Sequence, residues 1–221
     1  MSLAEPQSLA LSTLGDIAVS LPGSTAIFRR HKLDFCCGGS ESLESAARNK
    51  GLDPASIEAE LAHLAPQQNS IPDSVEDLID HILERYHQVH RRELPELRNL
   101  AIRVEQVHAE HPALPVGLSD LLARMHAELE SHMQKEEQVL FPLMLDGGNP
   151  MIVHPIGMMR HEHDEHGENL RALAALTGDM TVPDGACNSW RALYAGLAKL
   201  AEDLTDHIHI ENNILFPRFE A

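Results

Sequence analysis

Apolar residues recur at three- and four-residue intervals along most of this 221-residue chain, and no stretch shows the strict alternation of a half-buried strand. The expected fold class is therefore all-α. Leu14, Ile17, Ala18 and Leu21 form one helical face that breaks at Pro22-Gly23. Further helical stretches are expected over Ser24–His31 and Ser42–Lys50, and Asp53-Pro54 reads as the start of one over Ala55–Leu64. A polar, proline-bracketed stretch follows. It divides the chain into a small helical domain over 1–65, a linker over 66–72 and a larger domain over 73–221.

The larger domain reads as four long periodic segments separated by turn-rich stretches at about 111–117, 146–155 and 177–185. Ser74 is a good N-cap for the first, with Glu76 and Asp77 where the helix dipole favours negative charge. The second follows Pro115 and ends before Gly147-Gly148. The third opens near Pro155 and stops by Gly178, and the fourth starts around Asp184. Short connections make this an up-down-up-down four-helix bundle, a fold whose core often holds metal between facing helices.

An internal repeat gives that core its candidate chemistry. The second segment contains His132, Glu136, Leu140, Phe141 and Pro142; the fourth contains His207, Glu211, Leu215, Phe216 and Pro217 at the same spacing. The first segment carries His87, His90 and Leu94, matched in the third by His163, His166 and Leu170. One helical hairpin thus occurs twice. Packed about a pseudo-two-fold axis, the copies would bring His87, His132, His163 and His207 to the centre with Glu136 and Glu211. Residues i and i+4 lie on one helix face about 6 Å apart along the axis, so each His-x3-Glu pair can address the same two ions. Histidines would bind terminally and glutamates would bridge two irons, leaving positions open for oxygen or nitric oxide. The competing readings are surface pairing of ordinary helices and a mononuclear zinc site, although zinc commonly takes four ligands. His90 and His166 either face solvent or support the ligands. His108, about 32 Å from His87 along an unbroken helix, is a poor ligand, and Pro95 is expected to kink that helix. His81, His126, His154, His161 and His209 have no counterpart in the repeat and are expected at the surface or around the site.

Fifteen histidines against two tyrosines and one tryptophan agree with a metal protein. A formal charge of -17 argues against nucleic acid and against anionic membrane surfaces. No apolar run reaches the roughly 20 residues of a membrane span, and the first residues lack the layout of a signal peptide, so a cytoplasmic location is expected. Three cysteines, two of them adjacent, do not make a disulfide framework.

The larger domain resembles the hemerythrin-like cation-binding domains. With the N-terminal Leu33-Asp34-Phe35-Cys36-Cys37-Gly38-Gly39 it is similar, over nearly the whole chain, to the iron-sulfur cluster repair di-iron proteins. Arg85-Tyr86-His87, Ser131-His132-Met133, Lys135-Glu136-Glu137, Glu162-His163-Asp164-Glu165, Asp206-His207 and Glu211-Asn212-Asn213 carry the resemblance. It implies restoration of iron-sulfur clusters damaged by nitrosative and oxidative stress, through iron supply or nitric oxide removal. It also implies two non-haem irons, oxo- and carboxylate-bridged, with the four histidines as terminal ligands and Glu136 and Glu211 bridging. Damaged iron-sulfur proteins are the implied partners, and a homodimer is compatible with the sequence. Gly167 stands where the hemerythrin pattern has a second histidine, so the centre is expected to be more open and labile than an oxygen carrier's. The alternatives are an oxygen- or nitric oxide-binding sensor and an iron reservoir, and whether the protein turns over a substrate stays open.

A vicinal cysteine pair is poorly placed to chelate one metal with both sulfurs, and a disulfide between neighbours would be strained. A helix N-terminus, or Lys32 or Arg30, would lower the thiol pKa and make Cys36 and Cys37 nucleophilic. Otherwise they are small apolar residues in a small core. Cys187 is expected to serve in packing.

Overall fold

The computed structural model describes residues 9–64 and 71–220, so residues 66–70 of the expected linker lie outside the described residues. Among the described residues the regular structure is helical, with one isolated bridge between Thr13 and Ser42. Two compact units result: the described part of 1–71 together with 208–219, and residues 72–207 with Glu220.

The first unit holds α1 (Leu14–Ser20), α2 (Ser24–Arg30), α3 (Leu43–Asn49) and α4 (Pro54–Ala62). Thr13, Ser42 and Asp53 cap α1, α3 and α4 through side-chain oxygens that accept orphan backbone N–H groups. Leu14, Ile17, Phe28, Phe35, Leu43, Ile57 and Leu61 form its core. The end of the chain belongs here too. Asn212 donates to the Cys36 carbonyl at 3.1 Å and Asn213 to the Phe35 carbonyl at 3.2 Å, while the His209 ring stands edge-on to Phe35. Both glycines after the cysteines are needed for close approach. A Cβ on Gly39 would lie 2.7 Å from the Phe35 carbonyl oxygen and 3.0 Å from Asn213 Oδ1, and one on Gly38 would lie 2.9 Å from the Asp34 carbonyl oxygen.

The second unit carries the long helices. The first runs through α5 (Val75–Ile82), a π-helical turn (Leu83–His87) and α6 (Gln88–Val107). The next comprises α7 (Leu118–Lys135), a π turn (Glu136–Leu140) and α8 (Phe141–Leu145), followed by α9 (Val153–Thr177) and α10 (Asn188–Ile210). A third π turn, Glu211–Leu215, follows α10 and, with the final 3-10 turn, belongs to the first unit. α9 stops at Gly178, which takes the left-handed conformation at φ 57°. Pro95, expected to kink its helix, lies inside α6, which runs on to Val107. Leu78, Ile82, Leu94, Leu122, Met133 and Trp190 are among the residues buried in this unit.

Two of the π turns have a cause in the repeat. Proline lacks an N–H and its ring crowds the carbonyl four residues back, which favours a wider turn ahead of it, although α6 carries Pro95 without one. Ahead of Pro142 the Phe141 N–H bonds to the Glu136 carbonyl, and ahead of Pro217 the Phe216 N–H bonds to the Glu211 carbonyl, each five residues back. The wider turn therefore begins at each glutamate of the repeat. Turns of this kind are frequent at functional sites.

Replacing Gly39 by Ala should cost about 1–3 kcal/mol in urea unfolding, because backbone has to move. Gly157→Ala, where a Cβ meets nothing within 4 Å, should be neutral or stabilising by up to about 1 kcal/mol.

Candidate metal centre

His87 closes the first π turn, Glu136 opens the second and Glu211 the third; His132, His163 and His207 project from α7, α9 and α10. Each of the six is at most 1% exposed. His87, Glu136, His207 and Glu211 offer one donor atom each within 4.8 Å of one another, and His132, Glu136, His163 and Glu211 do the same. Both glutamates belong to both groups. Each histidine pair takes one member from each copy of the hairpin, so a single copy completes neither group.

The distances fit metal coordination. His87 Nε2 lies 3.2 Å from His207 Nε2, and His132 Nε2 lies 3.2 Å from His163 Nε2. Glu136 Oε2 is 3.4 Å from both His87 Nε2 and His132 Nε2, longer than a good hydrogen bond. Ligands about 2.1 Å from a common ion sit about 3.0–3.4 Å apart. Carboxylates and imidazoles buried this completely are costly without a cation to share, and the donor set suits iron.

A second layer of carboxylates orients the rings. His87 Nδ1 donates to Glu137 Oε1 at 2.8 Å and His132 Nδ1 to Glu162 Oε2 at 3.0 Å, which leaves each Nε2 lone pair facing inward. The His132 hydrogen bond, opposed by burial and helped by Lys135, lowers the Glu162 pKa to about 2. Burial raises that of Glu137, but the Arg91 and His87 hydrogen bonds outweigh it and the net shift is downward. Arg91 also grips Glu130, joining α6 to α7. Tyr86 stacks on His207 with ring centroids 5.2 Å apart, and Phe141 stacks on His87 at 5.9 Å.

His90 and His166 are buried, not solvent-facing. Their rings lie 5.5 Å from His207 and 5.0 Å from His132, and the Nε2 atom of each has no hydrogen-bond partner. Burial holds both neutral, lowering the His166 pKa to about 3 and that of His90 well below its ordinary value. A cavity of about 290 Å³, lined by Glu128, Lys135, Glu162, Glu165 and His166 among others, opens beside this side of the centre. His154 and His161 are exposed, His81 and His126 half-buried, and His209 is buried against Phe35. His108 stands apart and contacts Cys187.

The cysteine segment departs from expectation in two ways. Cys36 Sγ lies 3.7 Å from Cys37 Sγ and 3.4 Å from Asp34 Oδ1, so both sulfurs and a carboxylate do converge on one point. The Cys36 thiol is pushed well above its ordinary pKa by its bond to Cys37, by burial and by Asp34. Arg30, one of the cations expected to lower it, is engaged with Glu60.

Comparison with known proteins agrees with this geometry. The family described as the hemerythrin HHE cation binding domain matches residues 78–219, and a domain of unknown function, DUF542, matches residues 10–65. The iron-sulfur cluster repair protein YtfE of Escherichia coli (strain K12 / DH10B) is 48% identical over 210 residues, covering 93% of this chain and 94% of its own. YtfE of Dickeya chrysanthemi is 45% identical over 210 residues, covering 93% and 95%.

Replacing Glu162 by Ala removes the acceptor that fixes His132, and metal affinity should fall about 10–100-fold in chelator competition. The metal-free chain should lose stability as the pH drops. His166 and His209, the latter lowered by burial to about 4, stay neutral when folded but take a proton near pH 6.5 when unfolded. The unfolded state then binds more protons, so urea midpoints should fall from about pH 6.5 toward pH 4, with no contribution from these groups above that range.

Proposed function

This chain belongs to the hemerythrin HHE cation-binding family, and from that premise we propose that it is a di-iron protein that restores damaged iron-sulfur clusters. One observation carries the reading: two buried four-donor groups that share Glu136 and Glu211. His87 and His207 would hold one ion, His132 and His163 the other, with the two carboxylates common to both. Bound iron supplies redox-active, Lewis-acidic positions for a small ligand such as nitric oxide or oxygen. Four imidazoles and two carboxylates fill fewer positions than two six-coordinate ions offer. Gly167, buried in α9, adds no imidazole where one more would close the site.

The surrounding residues have defined tasks. Glu137 and Glu162 keep His87 and His132 in the metal-binding tautomer. Neutral His90 and His166 line the ligand rings without adding positive charge, and Tyr86 and Phe141 restrict water. That relatives carry the name iron-sulfur cluster repair protein supports this reading, and damaged iron-sulfur proteins are the proposed partners. Cys36 and Cys37 are the proposed thiol contribution. Their segment is tied to Asn212 and Asn213, the residues that follow Glu211, so the thiols and one bridging carboxylate share a backbone support. A cytoplasmic location is proposed, since the three cysteines are free thiols.

The test is recovery of activity by a nitric oxide-damaged iron-sulfur enzyme mixed with the iron-loaded protein. Glu136→Ala/Glu211→Ala should reduce recovery to the level without protein. Cys36→Ala/Cys37→Ala should reduce recovery while retaining iron, and full recovery by that variant would remove the thiols from the mechanism. Full recovery by the glutamate variant would reject the di-iron reading of repair.

A further inference from the structure

Cys187, expected only to pack, sits in a second cluster of reactive groups far from the centre. It immediately precedes α10, and its Sγ lies 3.1 Å from His108 Nε2 at the end of α6. Along α6 and along α10, each about 20 residues, the cluster is about 30 Å from the histidines of the metal centre. The His108 ring rests on buried Trp190 with centroids 5.1 Å apart, and His111 rests on Trp190 at the same distance. His111 is locked in turn: its Nδ1 accepts from the Ala113 N–H and its Nε2 donates to the Asp184 carbonyl. His108 is thereby held in place to exchange a proton with the sulfur.

The sulfur also faces a cavity of about 350 Å³, within the range of small-ligand sites, lined by Arg103, Val104, Val107, His108, Cys187, Asn188 and Ser189. Arg103 gives that cavity a cation suited to a carboxylate, and the two valines give it an apolar wall. We propose that Cys187 and His108 form a thiol-exchange site that takes small anionic disulfides, with Arg103 receiving a carboxylate and Cys187 becoming a mixed disulfide. The His108 hydrogen bond, followed by backbone N–H groups of Trp190 and Ser189, holds the Cys187 thiol down to about pKa 7. The chargeable groups around the sulfur are Arg103 from α6 and His108 just after it, with His111 behind Trp190.

The step balances without an added oxidant. The Cys187 proton passes to His108, and the sulfur attacks one sulfur of the disulfide. A new S–S bond forms to Cys187, the old one breaks, and the departing thiolate takes the proton from His108. Cys187 is oxidised and the leaving thiol is reduced. This inference is independent of the iron-repair reading.

The experiment incubates the full-length, iron-loaded protein with glutathione disulfide at pH 7 and follows adducts by intact mass and peptide mapping. One glutathione per chain is expected at Cys187, and none at that position in Cys187→Ser. Returning the thiol to an ordinary pKa in His108→Asn reduces its thiolate fraction, a loss partly offset by greater nucleophilicity, so the rate should fall about three- to fivefold. The inflection of the rate against pH should move upward from about 7 in that variant. Arg103→Ala should slow reaction with glutathione disulfide but not with uncharged hydroxyethyl disulfide. Labelling confined to Cys37, or a His108→Asn rate and pH profile equal to wild type, would overturn the proposal.

Discussion

Two carboxylates and four imidazoles are buried to 1% exposure or less at one place in the bundle, and much of the surrounding structure answers to that burial. Such groups are tolerated away from water only when their charge and lone pairs are met. Divalent or trivalent ions shared by both glutamates would meet them together. The layer outside the centre makes sense in the same terms. Carboxylates of Glu137 and Glu162 take the outward protons of His87 and His132, and Arg91 and Lys135 anchor those carboxylates at the surface. Charge would therefore alternate outward from bound ions, which favours neutral, basic imidazoles.

The backbone is fitted to the same requirement. π turns occur in the helices that carry His87, Glu136 and Glu211, whereas α9, which carries His163, runs as α-helix throughout. A wider turn at each glutamate re-aims its carboxylate relative to the histidine one turn earlier. Pro142 and Pro217 each follow that turn, six residues after the glutamate, so the Leu-Phe-Pro ending of each repeat accompanies the site's construction.

The sequence made the repeat, its six donors and the all-helical class legible because each rests on spacing within one helix, which periodicity records directly. What it left obscure depends on long-range packing. His90 and His166 repeat as faithfully as the donors, yet only the tertiary arrangement reveals that they are buried against His207 and His132. Lys32 and Arg30 are near Cys36 in sequence, but Asp34 and Cys37 are the groups that face its sulfur. The association of 208–219 with the N-terminal helices depends on Asn212 and Asn213 reaching carbonyls more than 170 residues away. Cys187 and His108, 79 residues apart, carried no shared motif. The π turns at the two glutamates do have a sequence signal, since Pro142 and Pro217 stand six residues after them.

The most direct measurement of the central claim is an iron titration of the metal-free protein, followed by elemental analysis, on wild type and Glu136→Ala. Because Glu136 belongs to both donor groups, the wild type should saturate at about two irons per chain and the variant should lose tight binding of both, not of one. Saturation at a single ion, or a full complement retained without Glu136, would contradict the shared-carboxylate centre.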